Sequence, residues 1–479
     1  MATDLKGSHT KHGSARPWYQ RRRKLLRPRR ARGVLGWWAR LRYVVWAWWV
    51  WAAAAAAAVF FDRSNTGLGL AAWGVVAYLF APRERSPTYG LEHDFGIESD
   101  EFLSTIAGAT GTHFLPDNSF DIYNNGDEFY PAMADAVNGA EISITIEAYI
   151  YWAGDIGLLF AQALAAKARE GVYVKILLDY VGSSSVGDEV LELLELSGCE
   201  VRWYNPVRWY NLGMINNRTH RKSLIIDGVT AFTGGAGIAD HWMGNAENPE
   251  HWRDINVRLQ GPVVQTLQTG FARNWLQTTS EMISGSNFYP PCEKFGDLSI
   301  QSILSSPETG SSTVRIMYYL SIACARKSIL IANPYFVPDN VAIETLIEAK
   351  KRGADVKIML TGKHNDVRIT RYNGIRLYGR LLEAGVEIYE YNRTMLHHKF
   401  MVCDGIWSTI GTTNFDNRAF ALNEENNVCL YDRTVAAEFE RIFADDLPAC
   451  DRVTLEAWRG RPLWQKVCEA AASLLKDQV

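Results

Sequence analysis

Two copies of one short polar pattern carry the chemistry that this sequence offers. His220, Lys222 and Asp227 form His-x-Lys-x4-Asp, and His397, Lys399 and Asp404 repeat it. In each copy the residues after Lys (SLII and FMVC) suit a buried strand, and Asp-Gly opens a turn. Alternate residues of a strand face the same way, so each His projects together with its Lys. A loop of small residues follows each copy, GGAG at 234–237 and GTTN at 411–414. Such loops let a backbone approach an oxyanion closely, which makes Gly234, Gly235, Gly411, Thr412 and Asn414 candidate phosphate contacts. A lone His-x-Lys is a common surface accident, but a pair with the same Asp spacing and trailing loop is not.

Two imidazoles and two ammonium groups, with no cysteine or carboxylate metal cage, suit a phosphodiester. One imidazole attacks phosphorus and forms a phosphohistidine. The other protonates the leaving alcohol and then deprotonates the incoming one. The lysines and backbone N–H groups hold the non-bridging oxygens as charge develops. The scheme requires neither metal nor cofactor. The roles of Asp227 and Asp404 stay open between catalysis and tying down the strand turn.

The elements that must position these residues form a long-period repeat. In the first half, AEISITIEAYIY (140–151) is a strand, 158–172 a helix stopped by Gly171, 173–180 a buried strand and 190–205 a helix followed by a strand. The second half runs through 326–340, 342–354, 355–362 and 374–392 in the same order. Gly171 matches Gly353, Gly198 matches Gly385 and His220 matches His397. Alternating strands and helices predict an α/β fold. The first half carries an insert before its histidine that contains Trp209 and Tyr210. With Trp203 and Tyr204 these aromatics are either core or lipid contacts.

Charge is distributed unevenly along the 479 residues. The net charge is −3, yet residues 1–42 hold 13 Lys/Arg against Asp4 alone, leaving −15 on the rest. So acidic a body is a poor general binder of nucleic acid. Next to the basic tail, residues 43–61 are uncharged and rich in Trp, long enough at about 28 Å to cross a bilayer. A second uncharged run, 66–82, ends at Arg83 and Arg85. Two spans make a hairpin with both basic flanks, and hence the body, in the cytoplasm. A single span places the body outside, and a cleaved leader is a third option. Seven cysteines without a CxxC pair fit neither a zinc ribbon nor a disulfide scaffold.

The duplicated motif with its GTTN loop resembles the phospholipase D superfamily over about residues 120–450. Within it, the chain looks most like the bacterial cardiolipin synthases. The supporting stretches are Glu147-Ala-Tyr149, His251-Trp-Arg-Asp254, Asn333-Pro-Tyr335, Asn414-Phe-Asp416-Asn-Arg418 and Leu422-Asn-Glu-Glu425. The resemblance implies two pseudo-symmetric α/β/α lobes after an N-terminal transmembrane helical hairpin, with one active site between the lobes. It also implies orienting carboxylates behind the histidines, Asp254 for His220 and Glu425 for His397. The implied activity is transfer of a phosphatidyl group from phosphatidylglycerol to a second phospholipid at the bacterial inner membrane. Its rivals are a hydrolase or a transferase with another acceptor, a nuclease, and a non-catalytic lipid-binding scaffold. Gly237 departs from the family, which usually has Asn there, and the more complete second loop favours His397 as the nucleophile.

The expected organisation is a basic tail (1–42), a membrane hairpin (43–82), a linker (83–115), two lobes (116–300 and 301–453) and a C-terminal amphipathic helix (454–479). On that last segment Leu463, Trp464, Val467, Ala471, Leu474 and Leu475 recur at helical spacing. They form an apolar face for either the membrane or the body.

Overall fold

A computed structural model describes residues 48–60, 66, 68–74, 93–207, 216–307 and 313–473. The basic tail, part of the expected hairpin, Trp209, Tyr210, Leu474 and Leu475 lie outside the described residues. Helix α1 (Trp48–Phe60) occupies the first apolar run, and Trp51 meets Trp73 of the second run edge to face at 6.4 Å. Among the described residues no helix is long and apolar enough to cross a membrane.

The stretch expected to be a linker contains helix α2 (Asp100–Thr110). Its start is a Ser99 cap, whose Oγ accepts from Phe102 N at 3.2 Å, and Gly111 ends it at φ 69°. Phe102 and Ile106, one turn apart, are fully buried, and Phe102 packs edge to face on Trp407. The charges of this stretch concealed that i, i+4 pair.

The first lobe's strands are β1 (Leu115–Asn124), β2 (Ser143–Ala148), β3 (Tyr173–Asp179), β4 (Glu200–Tyr204), β5 (Arg218–Thr219), β6 (Ser223–Ile226), β7 (Thr230–Gly234) and β8 (Ile255–Gln260). The second lobe's are β9 (Leu298–Ser305), β10 (Ser328–Asn333), β11 (Phe336–Val337), β12 (Asp355–Thr361), β13 (Glu387–Tyr391), β14 (Phe400–Cys403), β15 (Trp407–Gly411), β16 (Phe415–Asp416), β17 (Asn423–Tyr431) and β18 (Cys450–Val453). One sheet runs β4-β3-β2-β6-β7-β8-β1 and continues β9-β17-β15-β14-β10-β12-β13-β18. The second sequence mirrors the first and adds β18 at the edge. The seam is the antiparallel pair β1–β9, with Leu115 opposite Ile300. Strand β9 straddles residue 300, where the lobe boundary was expected, and its partners are β1 and β17.

Parallel pairing of β2 with β3 requires a crossover, supplied by helix α4 (Asp155–Arg169) after α3 (Asn125–Asn138). Ile156, Phe160, Ala161, Leu164 and Ala165 make one stripe of α4 and bury it on the sheet. Helix α5 (Asp188–Leu196) completes that layer. Helix α6 (Val264–Thr279) covers the opposite face with Phe271 and Trp275. The second lobe repeats the plan with α7 (Thr313–Cys324), α8 (Asn340–Lys351) and α9 (Arg368–Glu383). Helix α10 (Asn417–Ala421) precedes β17, and α11 (Arg433–Asp446) packs Phe439 and Phe443 into a core shared by both lobes. The expected C-terminal helix is two, α12 (Leu455–Gly460) and α13 (Leu463–Ala472). Of the first-lobe aromatics, Tyr204 is core, whereas half-buried Trp203 stacks edge-on to Tyr180.

Candidate active site between the two lobes

Each motif histidine lies just upstream of a central strand, where the chain is stitched to the other lobe. Strand β5 pairs parallel with the start of β17, and His220 N donates to Glu424 O at 2.8 Å. In the mirror position Arg253 bridges Leu396, and His397 N donates to Arg253 O at 2.7 Å. The residue after each carbonyl carries the carboxylate. His220 Nδ1 lies 3.0 Å from both Glu425 oxygens, and His397 Nδ1 lies 2.8 Å from Asp254 Oδ2. This reverses the expected pairing. Each carboxylate belongs to the strand beside its own lobe's motif but reaches across the seam, because the backbone stitch places it under the opposite imidazole.

The carboxylates are themselves held. Thr412 Oγ1 donates to Glu425 at 2.5 Å and Asn423 Nδ2 at 3.2 Å, while Trp242 Nε1 donates to Asp254 Oδ2 at 2.8 Å. A carboxylate on Nδ1–H fixes the tautomer and leaves Nε2 to react. Both lysines fold back toward their histidines, with Lys222 Nζ donating to His220 O at 3.0 Å and Lys399 Nζ to His397 O at 2.5 Å.

These groups share one electrostatic field. Burial holds His220 well below the ordinary imidazole value, and Lys222, Lys399 and Arg418 push it further. Burial likewise brings His397 down to about 4, helped by Lys399 and Lys222 and opposed by Asp254. So each imidazole feels both lysines. Burial and mutual repulsion lower Lys222 to about 7, and burial lowers Lys399 to about 8 against the pull of Asp254 and Glu425. The two carboxylates diverge. Burial raises Glu425 to about 7 despite Lys222 and its hydrogen bonds. Burial also opposes ionisation of Asp254, but the hydrogen bond from His397 and the charges of His397 and Lys399 outweigh it and keep this carboxyl below its usual value.

A pH dependence follows. Each ammonium is charged below its pKa and loses its proton above it, so kcat/KM should fall as pH rises through about 7 to 8. An unperturbed lysine would place that limb near about 10.4. Bound phosphodiester anion stabilises both charges, so the limb in kcat should lie at higher pH than the limb in kcat/KM. Coincident limbs near 10 in both profiles would contradict the two lowered lysines.

Asp227 and Asp404 are not at the reacting groups. Asp227 accepts from Glu141 N, Ile142 N and Ser143 N at 2.7–3.0 Å, and Asp404 from Arg326 N, Lys327 N and Ser328 N at 2.7–3.2 Å. Each latches its turn to the start of β2 or β10. The turns need it, because Asp227 and Gly228 (φ 52° and 68°), like Asp404 and Gly405 (54° and 61°), run through consecutive left-handed residues. Asp404→Ala should therefore cost about 2–4 kcal/mol of stability and leave kcat per folded molecule within about threefold. Thermal unfolding beside active-site titration checks this, and a stable but inactive variant would return Asp404 to the chemistry.

The glycine-rich loops also differ from expectation. Gly235 N donates to Ile255 O, Gly411 N to Lys399 O and Thr412 N to Asn426 O, so these amides are spent within the sheet. Gly234 is the last residue of β7, paired with Asn256. Small residues are needed because the carboxylate strands run close by. A Cβ on Gly235 would lie 2.3 Å from Asp254 Oδ1, and one on Gly411 would lie 2.2 Å from Asn426 O. Asn414 is different, for it is buried and its Oδ1 has no hydrogen-bond partner among the described residues. Gly237 cannot be its counterpart, since a Cβ there would sit 2.9 Å from Ile150.

Several supporting residues were not singled out from sequence. Trp242 packs on His397 with ring centroids at 5.3 Å, joined at 5.4 Å by Trp252 of the stretch His251–Asp254 already quoted for the family resemblance. Asp179, ending β3, accepts from Thr219 N at 3.1 Å, and Thr361, ending β12, donates to Leu396 O at 2.5 Å. These brace the residue before each histidine, and their only sequence signal is their place at the ends of matching strands. Tyr149 and Tyr335, named in the family resemblance, flank His220 and His397 at 5.0 and 6.4 Å. Among the described residues no group of three or more His, Cys, Asp or Glu is arranged to hold a metal ion.

A family model described as cardiolipin synthase, PLD-like domain, matches residues 133–275 and 320–447. The chain belongs to this family. A cardiolipin synthase of Alkalihalophilus pseudofirmus is 34% identical over 357 residues, covering 74% of this chain and 71% of that protein. The major cardiolipin synthase ClsA of Bacillus subtilis is 33% identical over 365 residues, 76% of each chain. The crystal structure of a phosphatidylserine synthase from Haemophilus influenzae Rd KW20 superposes with a TM-score of 0.61 at 15% identity, covering 79% of this chain and 100% of that one. That likeness is one of fold. In this PLD-like family member, the paired motifs and cross-lobe carboxylates described above fall within or between the two matched segments.

Proposed function

We propose that the chain is a phosphatidyltransferase that makes cardiolipin from two molecules of phosphatidylglycerol. The observation that carries this reading is the cross-lobe pairing, which places two carboxylate-backed imidazoles and both lysines in one buried field. Nε2 of one histidine attacks phosphorus, the bond to the head-group glycerol breaks, and the second imidazole gives that oxygen its proton. The terminal hydroxyl of another phosphatidylglycerol then returns a proton to this imidazole and displaces the histidine. Lys222, Lys399 and the Asn414 amide hold the non-bridging oxygens.

We infer that His397 is the nucleophile and His220 the acid. Asp254 stays ionised behind a neutral His397, whereas Glu425, raised to about 7, lets the His220–Glu425 pair keep a further proton into the neutral range. Water as acceptor would give phosphatidic acid by the same route, and transfer requires its exclusion. The uncharged α1 and the Trp51–Trp73 contact support a membrane hairpin, and basic flanks at both of its ends support placing the body in the cytoplasm of a bacterial cell.

Purified full-length protein in phosphatidylglycerol micelles should yield cardiolipin and glycerol in equal amounts, with no change on adding chelator. Lipid chromatography reads the products. Phosphatidic acid alone would make the chain a hydrolase, and absence of turnover would make it a scaffold.

A further inference from the structure

Helix α13 is mounted with its apolar face outward. Leu463, Trp464 and Val467 are 77, 61 and 60% exposed, while Glu469 is 1% exposed and faces the body. This is the inverse of a surface helix that stabilises a core. The orientation is pinned by polar contacts. Arg461 Nε and Nη2 hold the two Glu469 oxygens at 2.7 and 2.8 Å, and the same guanidinium lies 3.9 Å over the Trp458 ring. Trp458 Nε1 donates to Ile375 O at 2.7 Å, and Asn373 Nδ2 donates to Ala472 O at 3.0 Å. The bidentate pair and the Asn373–Ala472 hydrogen bond fix the roll of α13 on α9, and the Trp458 bond ties α12 to the same helix.

Helix α9 leads directly to the site. It starts just after Asp366, which accepts from Tyr335 Oη at 2.5 Å, and the Tyr335 ring faces His397. Exposed Lys466 flanks the apolar residues of α13 and exposed Arg368 opens α9, while nearby Arg459 is paired with Glu383 at 2.8 Å. An amphipathic face with Trp at its centre and cations at its edge fits the interface of an anionic bilayer.

We propose that α13 docks on the phospholipid surface and holds the Tyr335–Asp366 end of α9, beside His397, close to the bilayer, so that a substrate lipid reaches the histidines without its acyl chains crossing water. This rests on the lipid-transferase reading. It assigns to one helix a membrane contact that is separate from the N-terminal apolar runs.

The test uses the full chain in phosphatidylglycerol vesicles. The fluorescence difference between the natural protein and Trp464→Phe isolates Trp464. Lipids brominated high on the acyl chain should quench that difference. The double variant Leu463→Glu, Val467→Glu should lose about tenfold in transfer from vesicles while keeping the natural rate on dispersed dihexanoyl phosphatidylglycerol. An unquenched Trp464 signal, equal loss on both substrates, or a change of oligomeric state in detergent as the sole effect would overturn the docking role. If the natural protein fails to convert even the dispersed lipid, the functional reading falls, and the quenching result alone decides the docking.

Discussion

His220→Ala and His397→Ala should each lower transfer from phosphatidylglycerol by about four orders of magnitude or more, the scale seen when one member of a concerted catalytic set is removed. Both rings are buried, and each is fixed by one carboxylate and one backbone hydrogen bond. The two variants should nevertheless differ. With a phosphodiester whose leaving group needs no acid, such as p-nitrophenolate, His220→Ala should still release one equivalent of nitrophenol and hold phosphorus on His397. His397→Ala should release none. Acid-labile, base-stable label on the protein reads the adduct. The opposite pattern would assign the nucleophile to His220, and natural turnover in either variant would remove that histidine from the mechanism.

Asp254→Asn and Glu425→Gln should each lower the rate by about three to four orders of magnitude, because an amide at Nδ1 favours the wrong tautomer. The pairing decides which step suffers. Asp254→Asn should share the phenotype of His397→Ala and fail to form the adduct, although Asp254 belongs to the first lobe. Glu425→Gln should behave as His220→Ala and form the adduct with the activated diester. If each carboxylate variant instead mimicked the histidine of its own lobe, the cross-lobe geometry would be wrong. Glu425→Gln should also shift the alkaline limb of kcat/KM, since Glu425 titrates to about 7 within reach of Lys222. Asp254→Asn should move the limb to lower pH as well, because the ionised Asp254 favours the charged forms of both Lys399 and Lys222.

The fold was legible wherever chemistry repeats at fixed spacing. The two motifs, the matching glycines and the alternation of apolar strands with striped helices identify two α/β halves and place His220, Lys222, His397 and Lys399 at equivalent positions. The short helix α2 was hidden, because one turn of apolar residues among charges resembles a linker. Trp242 was hidden as well, since a tryptophan that donates to a catalytic carboxylate has the same sequence signature as one that fills a core. The outward face of α13 was visible as a periodicity, but periodicity says only that a stripe exists and not which way it faces. The Arg461–Glu469 pair decides that.

The family resemblance named two further carboxylates; by itself the sequence determined the other available groups, two imidazoles, two ammonium groups and a small loop after each motif. Those are local facts of residue type and spacing. Only the tertiary structure decided how they are shared between lobes. Joining the halves edge to edge through β1 and β9 brings the start of each carboxylate strand to the opposite histidine, so Glu425 serves His220 and Asp254 serves His397. The same seam left Asp227 and Asp404 at the far ends of their hairpins, where their oxygens satisfy backbone amides. Spacing along a chain cannot foresee this, because which carboxylate meets which imidazole depends on contacts between residues more than 140 positions apart.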